Sequence, residues 1–252
     1  MSFSKKAFCL AALSAIAAFG YSSSAQAISF NLTKGVAGPG GATNQGAYSE
    51  FYKDAGVTTI DFNSGTVPTT GLAQYSFETG KSSGVVQDKW APAGPNGENN
   101  VGKYLEVFNG DKVTISLGKT MNYYGIDWGA ISANNTFSFF KTVGKDLVNV
   151  GAFTSKDVEP LAAKNGVLNK DQNQWNGYLH FYSTSDQDNF DTIQISQSST
   201  EGGGFESDNH SFHEGTGAFT KAVPEPGMGL GVLAVGGLFL LKRKSQKLQL
   251  PN

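Results

Sequence analysis

Between residues 28 and 220 the chain is a succession of short alternating or β-branched stretches, separated by Gly, Asn, Ser and Thr. No amphipathic helical period in it lasts beyond a turn or two. A stretch of period two buries one face only by pairing with others like it, so the pattern demands a sheet. Predicted strands cover 28–32, 57–62, 73–78, 104–108, 112–117, 122–128, 136–140, 147–153, 177–182, 192–196, 205–208 and 212–219. Asn109-Gly110, between two of these, readily takes the positive φ of a type I′ turn and predicts a hairpin. So many short strands, without interposed helices, predict an all-β fold, a single jelly-roll-like β-sandwich.

Three stretches break the pattern. Residues 34–45 are Gly-rich and read as a mobile segment leading into the sandwich, with a short helical turn over 47–53. This divides the ordered part into a Gly-rich leading segment, 28–56, and a β-sandwich ectodomain, 57–220. Residues 84–102 carry Ala91-Pro92-Ala93-Gly94-Pro95-Asn96-Gly97, which excludes regular structure there. Long loops of this kind often hold binding residues. Residues 155–174 are polar, with room for one short helical turn around 158–163.

The two ends carry address information. Lys5 and Lys6 precede an apolar run over 7–20, and Ala25-Gln26-Ala27 supplies a small-x-small cleavage site. Residues 1–27 therefore read as a signal peptide with its helix, and the mature chain begins at Ile28. The one cysteine, Cys9, leaves with it, which removes thiol catalysis and cysteine-ligated zinc from the mature protein. At the other end, 221–252, Pro224-Glu225-Pro226 is followed by an uncharged run over 227–241 and by Lys242-Arg243-Lys244. The prolines keep the first part extended, the run can enter hydrocarbon, and the basic cluster is a cytoplasmic stop. This order of parts resembles the PEP-CTERM sorting tail of exosortase-dependent surface proteins. The resemblance implies recognition by an exosortase-type sorting protease, cleavage near Pro-Glu-Pro, and delivery to the cell surface or extracellular matrix. As a membrane helix the run is short, about 22 Å against a hydrocarbon core of about 30 Å. A short, glycine-interrupted anchor suits a temporary tether.

Charge narrows the partners. Between 28 and 221 thirteen lysines, without any arginine, stand against twenty carboxylates, a balance near −7. Lacking a guanidinium to grip phosphate and carrying a repelling field, this segment is no nucleic-acid binder. Divalent cations and neutral glycans fit better.

Within the ectodomain, the segments Thr59-Ile60-Asp61-Phe62-Asn63-Ser64-Gly65-Thr66, Asn122-Tyr123-Tyr124-Gly125-Ile126-Asp127-Trp128-Gly129 and Gly204-Phe205-Glu206-Ser207-Asp208-Asn209-His210 resemble one cyanobacteria-rich group of PEP-CTERM proteins. That resemblance implies a β-sandwich and no assigned activity. On a strand, Glu206 and Asp208 share a face while Ser207 and Asn209 take the other, so the carboxylates are candidates for a structural calcium. Hydrogen bonding of Asp208 or Asn209 to loop backbone at a sheet edge, with Glu206 solvated, is the simpler reading and ranks first. Asp186, Asp188 and Asp191 have the alternating oxygens that open a calcium loop but lack the sixth-position glycine and distal glutamate, and an Asx-rich turn serves as well. His210 and His213 fall on opposite faces of a strand and read as exposed or edge residues. Trp90 and Trp175, in or beside loops, are candidates for stacking on sugar rings, whereas Trp128 belongs to the core. No Gly-x-Ser-x-Gly, phosphate-cradling loop or zinc-protease motif is present, so no catalytic residue is assigned.

These features read as a secreted, surface-sorted, non-enzymatic protein with a structural or adhesive role in the cell envelope, tethered to the membrane until processed. The alternative is a module that binds extracellular polysaccharide through calcium or aromatic side chains. A glycan-active hydrolase ranks below both, and two carboxylates converging in one aromatic-lined cleft would favour it.

Overall fold

The structure, a computed structural model, describes residues 28–78, 82–169, 172–199 and 203–221. The expected signal peptide and its helix, Pro224-Glu225-Pro226, the apolar run 227–241 and Lys242-Arg243-Lys244 lie outside the described residues. Among the described residues no helix is long and apolar enough to cross a membrane.

The strands are β1 (Ile28–Thr33), β2 (Val57–Ile60), β3 (Ala73–Phe77), β4 (Gly84–Val86), β5 (Tyr104–Phe108), β6 (Asp111–Gly129), β7 (Asn135–Val143), β8 (Asp146–Thr154), β9 (Val167–Asn169), β10 (Gln174–Ser183), β11 (Phe190–Gln197) and β12 (Gly204–Glu214); helix α1 spans Ser155–Asn165. They form one continuous sheet that becomes a sandwich because β6 belongs to both layers. Up to Leu117 β6 pairs with β3 and β11; beyond Met121 it lies between β12 and β10. Gly118, Lys119 and Thr120 make the crossing, where the register against β11 jumps from Met121 to Ser116. One layer runs β4-β5-β12-β6-β10-β1, with β2 beside β12 and β9 beside β10; the other runs β3-β6-β11-β7-β8. Every pairing is antiparallel.

The inward side chains of the two layers meet as an aromatic core. Trp128 stacks on Phe205 with centroids 5.3 Å apart, and Phe137 from the opposite layer presents its edge to both. Phe181 packs against Phe137, Phe139 and Phe153. Such pairs add about 0.5–1.5 kcal/mol each beyond the area they bury.

Several expectations need correction. The hairpin predicted at Asn109-Gly110 does not form, since β5 pairs with β4 and β12 rather than with β6. Only Gly110 takes positive φ, +75°, where a type I′ turn requires it at both central residues. The Gly110 N–H donates to the Gln197 carbonyl instead, and the chain steps from one layer to the other. The polar stretch after β8 holds the three-turn helix α1 rather than a single turn. Its start is fixed by Asp157, whose carboxylate accepts from the Thr154 N–H and hydroxyl at 2.7 and 2.8 Å.

The leading segment is seated on the outer face of the layer that holds β12, β6 and β10, and Val36, in the stretch 34–45 expected to be mobile, exchanges both backbone hydrogen bonds with Tyr48 at 2.9 Å. Ala47, Tyr48, Ser49 and Phe51 are buried there. The Ser49 hydroxyl meets the Tyr123 hydroxyl at 2.7 Å, and the Glu50 carboxylate meets His180 Nε2 at 3.1 Å. Residues 47–54 form successive turns, Tyr52 N–H to Ser49 carbonyl and Asp54 N–H to Phe51 carbonyl, and no helix. The Pro-rich loop covers more of the same face. The Ala93 N–H donates to Asn176 Oδ1 at 3.0 Å, and Gln172 Nε2 donates to the Lys89 and Ala91 carbonyls at 2.7 and 2.9 Å.

Candidate functional site

With that face covered, the open concavity lies at one end of the layer, where β5 and β12 run side by side. Alternation puts Glu106 of β5 on the outward face, and the register sets it directly opposite Glu206 of β12. Gly204 opens the floor between them. A Cβ at Gly204 would lie 2.6 Å from Glu106 Oε1 and 2.6 Å from Glu206 Oε1, so the two oxygens are within twice that distance of each other. Asp88, from the loop after β4, supplies a third carboxylate. Its Oδ1 accepts from the Trp90 N–H at 2.7 Å and from the Tyr104 hydroxyl at 2.8 Å. Together with Trp90, Phe108, Ser132 and Gln174, these groups line a cleft of about 430 Å³.

The cleft is electrically asymmetric. Burial, and then the nearby charges of Glu106 and Asp88, push the Glu206 carboxyl up to about 8 against the pull of its own backbone hydrogen bond. At neutral pH Glu206 is therefore largely protonated and can donate, while Asp88 accepts. The Glu106 carboxyl is also raised, by burial and then by Asp88. Glu206 Oε2 is buried without a hydrogen-bond partner. The Lys89 ammonium stands 4.7 Å from the centroid of the half-buried Trp90 ring.

The predicted site residues are distributed as follows. Trp90 lines the cleft; Trp175, 37% exposed on β10, does not and pairs with exposed Leu168 on β9. Glu206 and Asp208 share a face as expected, but Glu206 belongs to the cleft while Asp208 sits opposite Asp127 of β6. Asn209 departs from the expected alternation. Its φ of +48° creates a bulge that keeps its amide on the side of Asp208 and turns His210 inward. His210, expected at an edge, is fully buried, with Nδ1 at 2.9 Å from the Tyr75 hydroxyl and 3.1 Å from that of Tyr124, and Nε2 at 3.0 Å from Ser207 Oγ. His213 is half-buried and bonded to Asn122.

Asp186, Asp188 and Asp191 do separate work. The Asp188 carboxylate receives the Thr184 N–H and the Ser185 hydroxyl, which hold it below its usual range against the cost of burial. Asp191 receives the Thr142 N–H and hydroxyl from β7, and Asp186 offers its carbonyl to Lys141 Nζ. Among the described residues no group of three or more His, Cys, Asp or Glu side chains is placed to hold a metal ion. Asp88, Glu106, Gln174 and Asp127 were not singled out in the sequence. An acidic residue in the middle of Tyr104-Leu105-Glu106-Val107-Phe108 was the available signal, but only the register shows what it faces.

No protein-family model matches the chain. No curated protein matches it. Among solved structures, the family 11 carbohydrate-binding module from Clostridium thermocellum, in complex with a β-1,3-1,4-mixed-linked tetrasaccharide, is similar at a TM-score of 0.34 and 15% identity. The similarity covers 64% of this chain and 97% of that module. A likeness of that degree carries no argument about this site.

Proposed function

We propose that this protein is exported, sorted to the cell surface through its Pro224-Glu225-Pro226 tail, and acts there as a non-enzymatic, jelly-roll-like module that binds a neutral polysaccharide in the Glu106–Glu206 cleft. The supporting observation is the cleft itself, which sets an indole beside carboxyl groups that donate and accept. Sugar rings offer an apolar face and a rim of hydroxyls, and match such a lining. The negative field of Asp88 and Glu106 repels anionic polymers, which selects neutral ones. The Pro-Glu-Pro, apolar and basic order of the tail supports the address.

The test is titration of the full chain, in detergent, with neutral envelope polysaccharides, read by tryptophan fluorescence and affinity electrophoresis. Binding is expected, with affinity about tenfold or more weaker in Trp90→Ala, the cost of one lost stacking contact, and unchanged in Trp175→Ala. Absence of retardation and quenching, or loss of binding only in Trp175→Ala, overturns this reading.

A second reading rests on one observation, the closeness of Glu106 and Glu206. Retaining glycosidases hold two carboxyl groups about 5–5.5 Å apart, one of them a raised acid. Release of reducing ends from a bound polysaccharide, lost in Glu206→Gln, would establish it; intact polymer after prolonged incubation leaves the module non-catalytic.

A further inference from the structure

Six large apolar side chains are exposed among the described residues, and three of them share one hairpin. Val143 ends β7, and Leu147 and Val148 follow in β8, with exposures of 55, 54 and 46%. Successive strand residues point to opposite faces, so Leu147 and Val148 leave both faces of the hairpin open at once. The register explains this. β7 pairs with β11 only as far as Phe140, while its pairing with β8 continues to Val143 opposite Asp146. The tip of the hairpin therefore projects past its neighbours. Clustered exposed apolar side chains of this kind mark an interaction surface.

The place of the tip in the molecule says what covers it. Lys141 Nζ donates to the Asp186 carbonyl at 3.0 Å and the Thr142 N–H to Asp191 at 2.9 Å, which sets the stem of the hairpin against 186–191. The segment after β12 lies against the same stretch, where Gly217 exchanges hydrogen bonds with the Asn189 side chain at 2.9 and 3.0 Å. Two residues on, the Phe219 N–H donates to the Ser183 carbonyl, and Lys221 pairs with Asp54 at 2.6 Å. The chain thus leaves the sandwich at the end where the tip projects. Six residues beyond Lys221 the uncharged run 227–241 begins. Six residues reach at most about 22 Å when fully extended. A bilayer that holds the run therefore holds this end of the sandwich close against it.

Charge favours no other partner. Lys145 and Asp146 of the turn cancel, and at the stem Lys141 stands beside Asp186 and Asp191, so no cationic patch calls for an anionic polymer. A zwitterionic lipid surface fits better than an anionic one. The apolar side chains suit its hydrocarbon, and the Lys145 stem can lie beside them with its ammonium at the headgroups. A second copy would have to find the tip from solution, whereas the tether supplies the bilayer at high local concentration.

We propose that the β7–β8 tip, Val143 to Val148, is a second membrane contact, entering the interfacial layer of the phospholipid bilayer that holds 227–241 and orienting the sandwich on it. This rests on the membrane reading of that run. On β12, Glu206 stands near one end and Glu214 at the other, about 26 Å apart along the strand. A sandwich seated on its tip therefore holds the Glu106–Glu206 cleft away from the lipid and open to extracellular polymer. The contact lasts as long as the tether, and removal of the run releases both.

The test is fluorescence of the full chain, carrying Cys9→Ser, reconstituted in phosphatidylcholine vesicles. A polarity-sensitive dye sits on one introduced cysteine, and the lipid carries a nitroxide near the top of its acyl chains. Asp146→Cys reports the tip, Gly236→Cys the run, and Ala133→Cys, exposed and next to the cleft-lining Ser132, the far end. The nitroxide is expected to quench the dye at 146 and 236 and not at 133. The triple variant Val143→Ser, Leu147→Ser, Val148→Ser should lose the quenching at 146 while Tm and the quenching at 236 stay unchanged. Quenching at 236 without 146 overturns the tip contact and spares the tail reading; quenching at 146 without 236 overturns the tail reading and spares the tip. Quenching at neither overturns both. The proposal also falls if quenching at 146 survives the triple substitution or if position 133 is quenched equally. A dye shift that grows with protein concentration and needs no lipid, the mark of a second copy, overturns it as well.

Discussion

His210 shows how far one residue's backbone angle reaches. Because Asn209 sits at φ +48°, the alternation of β12 slips by one, and the next imidazole enters the core between Tyr75, Tyr124 and Phe62. Burial pushes its pKa from the ordinary 6.5 down to about 3. The unfolded chain therefore takes up a proton near pH 6.5 that the folded chain refuses until about pH 3. Stability from this group is complete above pH 6.5 and is lost progressively as pH falls from 6.5 towards 3. In a carbon-detected titration the His210 ring should remain neutral down to about pH 4; a midpoint near 6 would contradict its placement. Strict alternation gave the opposite environment for His210. A left-handed asparagine is open to any Asn in the sequence, and what fixes it here is the pair of hydrogen bonds to Gln45 and Ala47.

At the scale of elements, the strand positions were largely readable, because β-branched and aromatic alternation marks a half-buried pleat wherever it occurs. What each strand pairs with was not. The Asn109-Gly110 turn has hairpin chemistry, yet Gly110 is held by Gln197 and β5 finds its partner on β12. The candidate cleft was half legible for the same reason: Trp90 and Glu206 stood out, whereas Glu106 becomes significant only through its register. The covering segment misled most, since glycines that suggest mobility here permit close approach. At Gly46 a side chain would strike the Asp127 and Asp208 carboxylates and the Asn209 amide, and positive φ adds its own penalty of about 1–2 kcal/mol. Gly46→Ala should lower unfolding free energy by about 2–5 kcal/mol in urea titration, the sum of that penalty and an overpacking cost of about 1–3 kcal/mol. A change below about 0.5 kcal/mol would mean that the segment does not rest on these side chains.

For the whole molecule, composition excluded more than it identified. A lysine-only, net-acidic segment over 28–221 argues against nucleic acid, and the aromatic content is mostly spent on the core rather than on a binding platform. The proposed address belongs at this scale too, because it depends on both ends of one chain. Intact-mass measurement of protein recovered from the cell surface should give a chain beginning at Ile28 and lacking residues 233–241. A mature chain that retains them in a cell that holds the exosortase contradicts processing at the tail.

The pairing of β1 with β10 sets an order of events. Ile28 meets Ser183, and β2 meets β12 through Ile60 and His210, so the earliest strands synthesised find partners only after most of the chain has followed. Closing such distant pairs costs loop entropy before any contact repays it, and folds dominated by them are slow to form. Until β10 and β12 arrive, β1 and β2 have no strand to pair with. A chain delivered N-terminus first therefore carries its beginning unfolded for nearly its full length, exposed to proteases and to pairing with its neighbours. Truncation before residue 204 would remove the closing strand itself rather than trim an edge.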